Sequence, residues 1–296
     1  MILERLVAVS LCALGACRLA GPDELVGGVT KPGAADAGAS GAAPKELPTA
    51  TRLPSPACTN PTPAKPSLLG DVPAGQTSMG CHVAVDEECK ADELPMHAVS
   101  LDAFRIDATE VTQAQYVECV LAGACLAPTC DWDPCGARAN HPVVCVNRED
   151  ALSYCKHEGK RLPTEAEWEK AARGEAGLKF PWGNDPADCA HANLAGCVGG
   201  TEPVGSHPSG ASPYGALDMA GNVVEWVSDI YDPTYYGVSP APDPQGPAAT
   251  ATYGSYVGRG GGWNSTAIWH RASARDDYEG TYFKKTFGLR CAVSLP

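Results

Sequence analysis

Gly159-Lys160-Arg161-Leu162-Pro163-Thr164-Glu165-Ala166-Glu167-Trp168-Glu169, running on to Ala172-Arg173-Gly174, is the stretch that decides the fold. Thr164 with Glu167 three residues on is a capping box, in which hydroxyl and carboxylate each accept a backbone N–H from the opening turn of a helix. Gly174 closes that helix, and Trp168, Ala171 and Ala172 have the spacing of one buried face. Gly159 in turn supplies the C′ position of an earlier helix. Asn147 caps it, Glu149 and Asp150 suit its first turn, and Lys156 and His157 its last. Leu152 and Cys155 are its apolar positions. Further upstream, Thr112-Gln113-Ala114-Gln115 is another capping box, opening a helix that ends near Gly123.

Elsewhere the signals are short strands and long turns, with no internal repeat. The 32 glycines and 26 prolines break the chain too often for long helices to dominate. The sum is an α+β domain of low regular content over residues 67–296, in a chain whose residues are 44% hydrophobic overall. Acidic residues outnumber basic ones 35 to 22, a formal charge of −13 that repels phosphate backbones and excludes nucleic acid as a partner. Fourteen cysteines point to an oxidising compartment.

Residues 6–14 are apolar, too short to span a bilayer, and read as the core of a secretory signal over residues 1–16. Leu14-Gly15-Ala16-Cys17 resembles a bacterial lipobox, with cleavage before Cys17 and lipidation of that cysteine. The rival reading is an ordinary signal peptide with Cys17 incidental. Arg18 stands where an Asp commonly retains lipoproteins at the inner membrane, so the expected address is the bacterial periplasm or cell surface, by a lipid anchor in the outer membrane. Residues 17–66 lack aromatics and apolar periodicity and read as a flexible Ala/Gly/Pro-rich tether. Cys58 stands near its end as a staple to the domain.

From about residue 70 onward the chain resembles the formylglycine-generating enzyme, or sulfatase-modifying factor, family. Val72-Pro73-Ala74-Gly75, Asp92-Glu93-Leu94-Pro95-Met96-His97 and Phe104-Arg105-Ile106-Asp107 precede the quoted block in family order. Phe180-Pro181-Trp182-Gly183, Gly221-Asn222-Val223-Val224-Glu225-Trp226, Arg259-Gly260-Gly261-Gly262-Trp263 and Phe287-Gly288-Leu289-Arg290 follow it. The resemblance implies a C-type-lectin-like α+β fold. It also implies oxidation of a client cysteine to formylglycine by oxygen and a copper ion on two cysteine thiolates. Cu(I) needs soft, deprotonated sulfur. Here the first of those positions is Ser265, and the second falls in Thr266-Ala267-Ile268-Trp269-His270, with no cysteine between Cys197 and Cys291. Gly262 replaces the usual serine and Val224 the usual aromatic. These departures predict that copper chemistry is lost and that the groove binds a protein or extended peptide. The alternatives are an oxidase working without those cysteines, another chemistry at Ser265, His270, Arg271 and Arg275, or a purely structural envelope protein.

Calcium is the cofactor that the resemblance implies, through the side chains of Asp218 and Glu225 and the carbonyls of Gly221 and Val223. The competing reading pairs Glu225 with an arginine and leaves Asp218 facing water. A second family calcium position includes Asn193 and the Leu194 carbonyl, with its partner segment shortened to Gly196-Cys197-Val198-Gly199-Gly200. Cys155 and Cys291 match positions that the family pairs as a disulfide. Cys81–Cys89, Cys189–Cys197 and Cys119–Cys125 read as local loops, with zinc ligation as the rival. Arg271, Arg275 and Arg290 either line a pocket for an anion or brace the core. Trp263, Trp269, Tyr278 and Tyr282 either form a recognition face or pack inside.

Overall fold

The structure, a computed structural model, describes residues 69–248 and 254–296. The signal segment, Cys17, Cys58 and the tether over residues 17–66 lie outside the described residues. The described chain runs β1 (Leu69–Val72), β2 (Gly75–Met79), β3 (His97–Leu101), β4 (Phe104–Asp107), α1 (Gln113–Leu121), α2 (Arg148–His157), α3 (Glu165–Arg173), β5 (Val224–Ile230), β6 (Ser255–Arg259), β7 (Arg275–Glu279), β8 (Phe287–Gly288) and β9 (Ala292–Ser294).

All three helices begin with a closed capping box, at Thr112/Gln115, Asn147/Asp150 and Thr164/Glu167. Each box answers two of the N–H groups that an N-terminal turn leaves unpaired. The strands form three small sheets, ordered β1-β4-β9, β2-β3 and β7-β6-β5-β8. Every pairing is antiparallel except β5 with β8. This is the mixed helix and sheet fold of low regular content that the sequence announced.

α3 departs from the amphipathic reading. All nine of its residues are buried, not only Trp168, Ala171 and Ala172. Burying an unpaired charge is prohibitive, so every charge on this helix has found a partner. Glu165 takes both ends of the Arg275 guanidinium at 2.9 and 2.8 Å. Glu169 holds Arg173 at 3.0 Å and Arg259 at 2.5 Å. Lys170 donates to the carbonyls of Pro73 and Gly75, and Glu167 accepts from Arg161. The hydrophobic cores therefore pack around a polar but internally paired helix.

Five disulfides join described cysteines: Cys81–Cys89, Cys119–Cys125, Cys130–Cys145, Cys155–Cys291 and Cys189–Cys197. Cys135 is disulfide-bonded as well. Zinc ligation by these cysteines is thereby displaced. Cys81, Asp86 and Cys89 do bring ligand-type atoms within 4.8 Å of one another. The two sulfurs are bonded together, however, and the Asp86 carboxylate answers Arg271 and Lys179.

Candidate functional site

The end of β6, the glycine run after it and β7 enclose two adjoining cavities of about 220 and 330 Å³. Val224, Ser265, Trp269 and Tyr278 line both. The glycines let the backbone turn sharply here: Gly261 has a φ of +68°, and a Cβ on it would lie 3.0 Å from the Trp269 carbonyl oxygen. The opposite wall is aromatic. Tyr278 and Tyr282 pack edge-on against Phe287, with ring centroids 4.5 and 5.0 Å away. Lys90 reaches over Trp269 with its Nζ 2.8 Å from the ring centroid. Of the four aromatics singled out in the sequence, Trp269, Tyr278 and Tyr282 line this groove, while Trp263 donates its indole N–H to the Lys285 carbonyl.

Ser265 sits at the position of the first family cysteine and lines the groove, its Oγ accepting the Gly262 N–H at 3.1 Å. His270 is fully buried and makes no hydrogen bond to that hydroxyl. Its Nδ1 donates to the Thr266 carbonyl at 3.0 Å, its Nε2 meets no partner, and burial lowers its pKa. A serine and a histidine in this arrangement make no nucleophile–base pair. All eleven described cysteines are disulfide-bonded, so no thiolate is available to hold Cu(I) among the described residues. The donor set does not fit copper.

Arg271, Arg275 and Arg290 resolve to core-bracing roles. The Arg271 guanidinium bonds Glu93 at 2.7 Å through both Nη atoms and Asp86 at 2.8 Å. Arg275 is forked onto Glu165, although it is among the residues lining the first cavity. Arg290 is forked onto Glu225 at 2.7 Å on each arm. None of the three guanidiniums is left over for an anion.

On β5, Val224 faces the groove and its neighbour Glu225 points to the other side. There the residues expected to hold calcium come together in part. Glu225 pairs with Arg290, as the competing reading has it, and also accepts the Trp168 indole N–H at 2.8 Å. Asp218, by contrast, is buried and accepts the Gly205 N–H at 2.6 Å. Glu110, not singled out from the sequence, is buried beside them and accepts from Asn222 Nδ2 and the Val223 N–H. Burial first, then Asp218 and Glu225, push the Glu110 pKa well up, and burial raises that of Asp218. Arg290 is within electrostatic reach of all three carboxylates. That is a concentration of buried carboxylates with existing hydrogen-bond or ion-pair partners, and among the described residues only Cys81, Asp86 and Cys89 bring three ligand-type groups within 4.8 Å of one another. Gly221 is required here: its φ is +89°, and a Cβ would lie 2.4 Å from the Asn193 carbonyl oxygen. At the second family position, Asn193 Oδ1 is buried without a partner, while the Leu194 carbonyl accepts the Cys197 N–H at 3.0 Å.

The residues that sequence reasoning missed are Asp276, which lines the first cavity, Glu110, and Lys90, which lines neither cavity but reaches the Trp269 ring. Lys90 directly follows Cys89, and only the fold carries it to Trp269.

Comparison with known proteins agrees with this architecture. A sulfatase-modifying factor enzyme 1-like domain model matches residues 53–295. The formylglycine-generating enzyme of Streptomyces coelicolor is 36% identical over 82% of this chain and 96% of that protein. Among solved structures, PvdO from Pseudomonas aeruginosa superposes with a TM-score of 0.63 at 27% identity, covering 78% of this chain and all of that one. Treponema denticola variable protein 1 shares the fold, with a TM-score of 0.65 at 24% identity over 77% of this chain and 95% of that one. The chain belongs to the sulfatase-modifying factor enzyme 1-like domain family.

Proposed function

We propose that this domain is a binding protein, taking an extended peptide segment of a partner in the groove of Ser265, Trp269, Tyr278 and Tyr282. The observation that carries the reading is the thiol inventory. Every described cysteine is locked in a disulfide, and the position of the first family cysteine holds Ser265, whose hydroxyl is a hard donor that cannot replace a thiolate on Cu(I). Without those ligands the groove still has an aromatic lining of Trp269, Tyr278, Tyr282 and Phe287. Calcium is the proposed structural ion, held by Asp218 and Glu225, and its role is to balance the buried carboxylates. Lipidation at Cys17 and an outer-membrane address complete the proposal. Labelled palmitate should enter the wild-type protein and not Cys17→Ala.

The test of the central claim is a peptide oxidation assay. The full chain with disulfides formed is mixed with copper(I), calcium, oxygen, a reductant and a sulfatase-type cysteine peptide, and mass spectrometry looks for the aldehyde. No aldehyde is expected above an enzyme-free control. The kinship with the Streptomyces coelicolor enzyme favours the opposite outcome, and protein-dependent aldehyde formation would overturn the proposal.

A further inference from the structure

We propose that Trp269, Tyr278 and Asp276 form a subsite for an alkylammonium group, with Lys90 resting on the Trp269 ring in the free protein and yielding it to a lysine side chain of the bound peptide. The inference rests on the groove being a peptide site and adds what that site recognises.

The subsite already holds the chemistry it would select. The Lys90 Nζ lies 2.8 Å from the centroid of the Trp269 ring, a cation on the electron-rich face of an indole, and Asp276 is the strongest-acting acidic charge on it, although Lys90 is not itself among the residues lining either cavity. Trp269 lines both cavities, and Asp276 and Tyr278 line the first. The Asp276 carboxylate is oriented by two donors, the Tyr278 hydroxyl at 2.7 Å and the Asp277 N–H at 3.0 Å. Neither donor cancels its charge, and it forms no ion pair among the described residues. The other acids near Lys90 are committed elsewhere: Glu93 to Arg271 and Asp92 to the Tyr231 hydroxyl.

Lys90 is a weak tenant. Its ammonium has three donors, yet it makes no hydrogen bond or ion pair among the described residues. Burial costs it hydration, which released Lys90 would regain in water. A ligand ammonium enters with its own peptide backbone lying in the groove, contacts that Lys90 does not make. An anionic side chain finds no welcome, because Arg271 and Arg275 are spent on Glu93, Asp86 and Glu165.

The test uses the full chain with disulfides formed and lysines labelled with carbon-13. In the free protein the Lys90 side-chain methylene should resonate upfield in the ring current of Trp269. Two acetylated, amidated peptides are titrated, Gly-Ala-Lys-Ala-Gly and the same peptide with norleucine in place of lysine. The lysine peptide should move the Lys90 signal to the free-lysine position in a saturable manner, and the norleucine peptide should not. Lys90→Ala, with the internal competitor gone, should bind the lysine peptide on the order of tenfold more tightly. Trp269→Ala and, independently, Asp276→Asn should lose the preference for lysine over norleucine. If the two peptides bind alike, or the lysine peptide saturates while the Lys90 signal stays put, the subsite is overturned and the groove reading stands. If neither peptide binds the wild type or Lys90→Ala, both fall together.

Discussion

Asp229 meets α3 at its first residue, accepting the Glu165 N–H at 2.8 Å and the Ser228 hydroxyl at 2.9 Å. Burial, and next the charge of Glu165, push its pKa up to about 7. The folded state therefore holds this proton more tightly than the unfolded chain. Its contribution to stability is full below the usual carboxylate range and is lost as pH rises through about 7. Between pH 5 and pH 8 the wild type should lose on the order of 1–3 kcal/mol more than Asp229→Asn, read from urea midpoints. Equal losses would show that Asp229 is not proton-linked to folding. Arg290 tests the same physics with the opposite charge. Arg290→Leu strands Glu225 beside Glu110 and Asp218, and should cost about 3–5 kcal/mol in urea denaturation. Arg290→Leu combined with Glu225→Leu should recover most of that loss, because the penalty lies in the unpaired charge.

At the scale of elements, what was legible and what was not divides along chain distance. The three capping boxes are local, and Thr112, Asn147 and Thr164 all cap the helices the sequence assigns to them. The full burial of α3 was not legible. Its sequence reads as amphipathic, and the partners that make burial tolerable, Arg259 and Arg275, lie about a hundred residues downstream. The same holds for cysteines. Short loops such as Cys81–Cys89 follow from spacing and Cys155–Cys291 from resemblance, but Cys130–Cys145 needed the fold to separate it from its neighbours. Loop length also grades their worth. Replacing Cys155 and Cys291 by Ala opens a separation of 136 residues and should cost up to about 4–5 kcal/mol. The pair Cys81 and Cys89, eight residues apart, should cost about 2–3 kcal/mol. Thermal melts of the two double variants should rank in that order.

For the molecule as a whole, the net charge of −13 is partly internal, since Glu110, Asp218 and Glu225 are all buried. An ion that binds only the folded state raises the melting temperature in proportion to the logarithm of its concentration. Millimolar calcium should therefore raise the midpoint by several degrees, a chelator should reverse it, and Asp218→Asn should abolish the response. Coincident melts with and without calcium would remove the proposed ion. The groove was half legible in the same way. The glycine run and Ser265 mark its floor in the sequence, because close backbone approach demands glycine. The meeting of Lys90 with Trp269 and Asp276 joins two segments far apart in the chain and leaves no local trace.

The last strand closes the first sheet. β9 pairs with β4 in the register Phe104↔Ser294, Ala292 bridges Arg161, and Cys291 is bonded to Cys155. A ribosome making this protein must therefore add more than 180 residues after β4 before that strand can acquire its second neighbour. Until residue 294 emerges, the nascent polypeptide presents an open strand edge and an unmatched thiol at Cys155. An unpaired edge and a free thiol are both hazards for a partly folded chain, so this domain is protected only once β9 has docked.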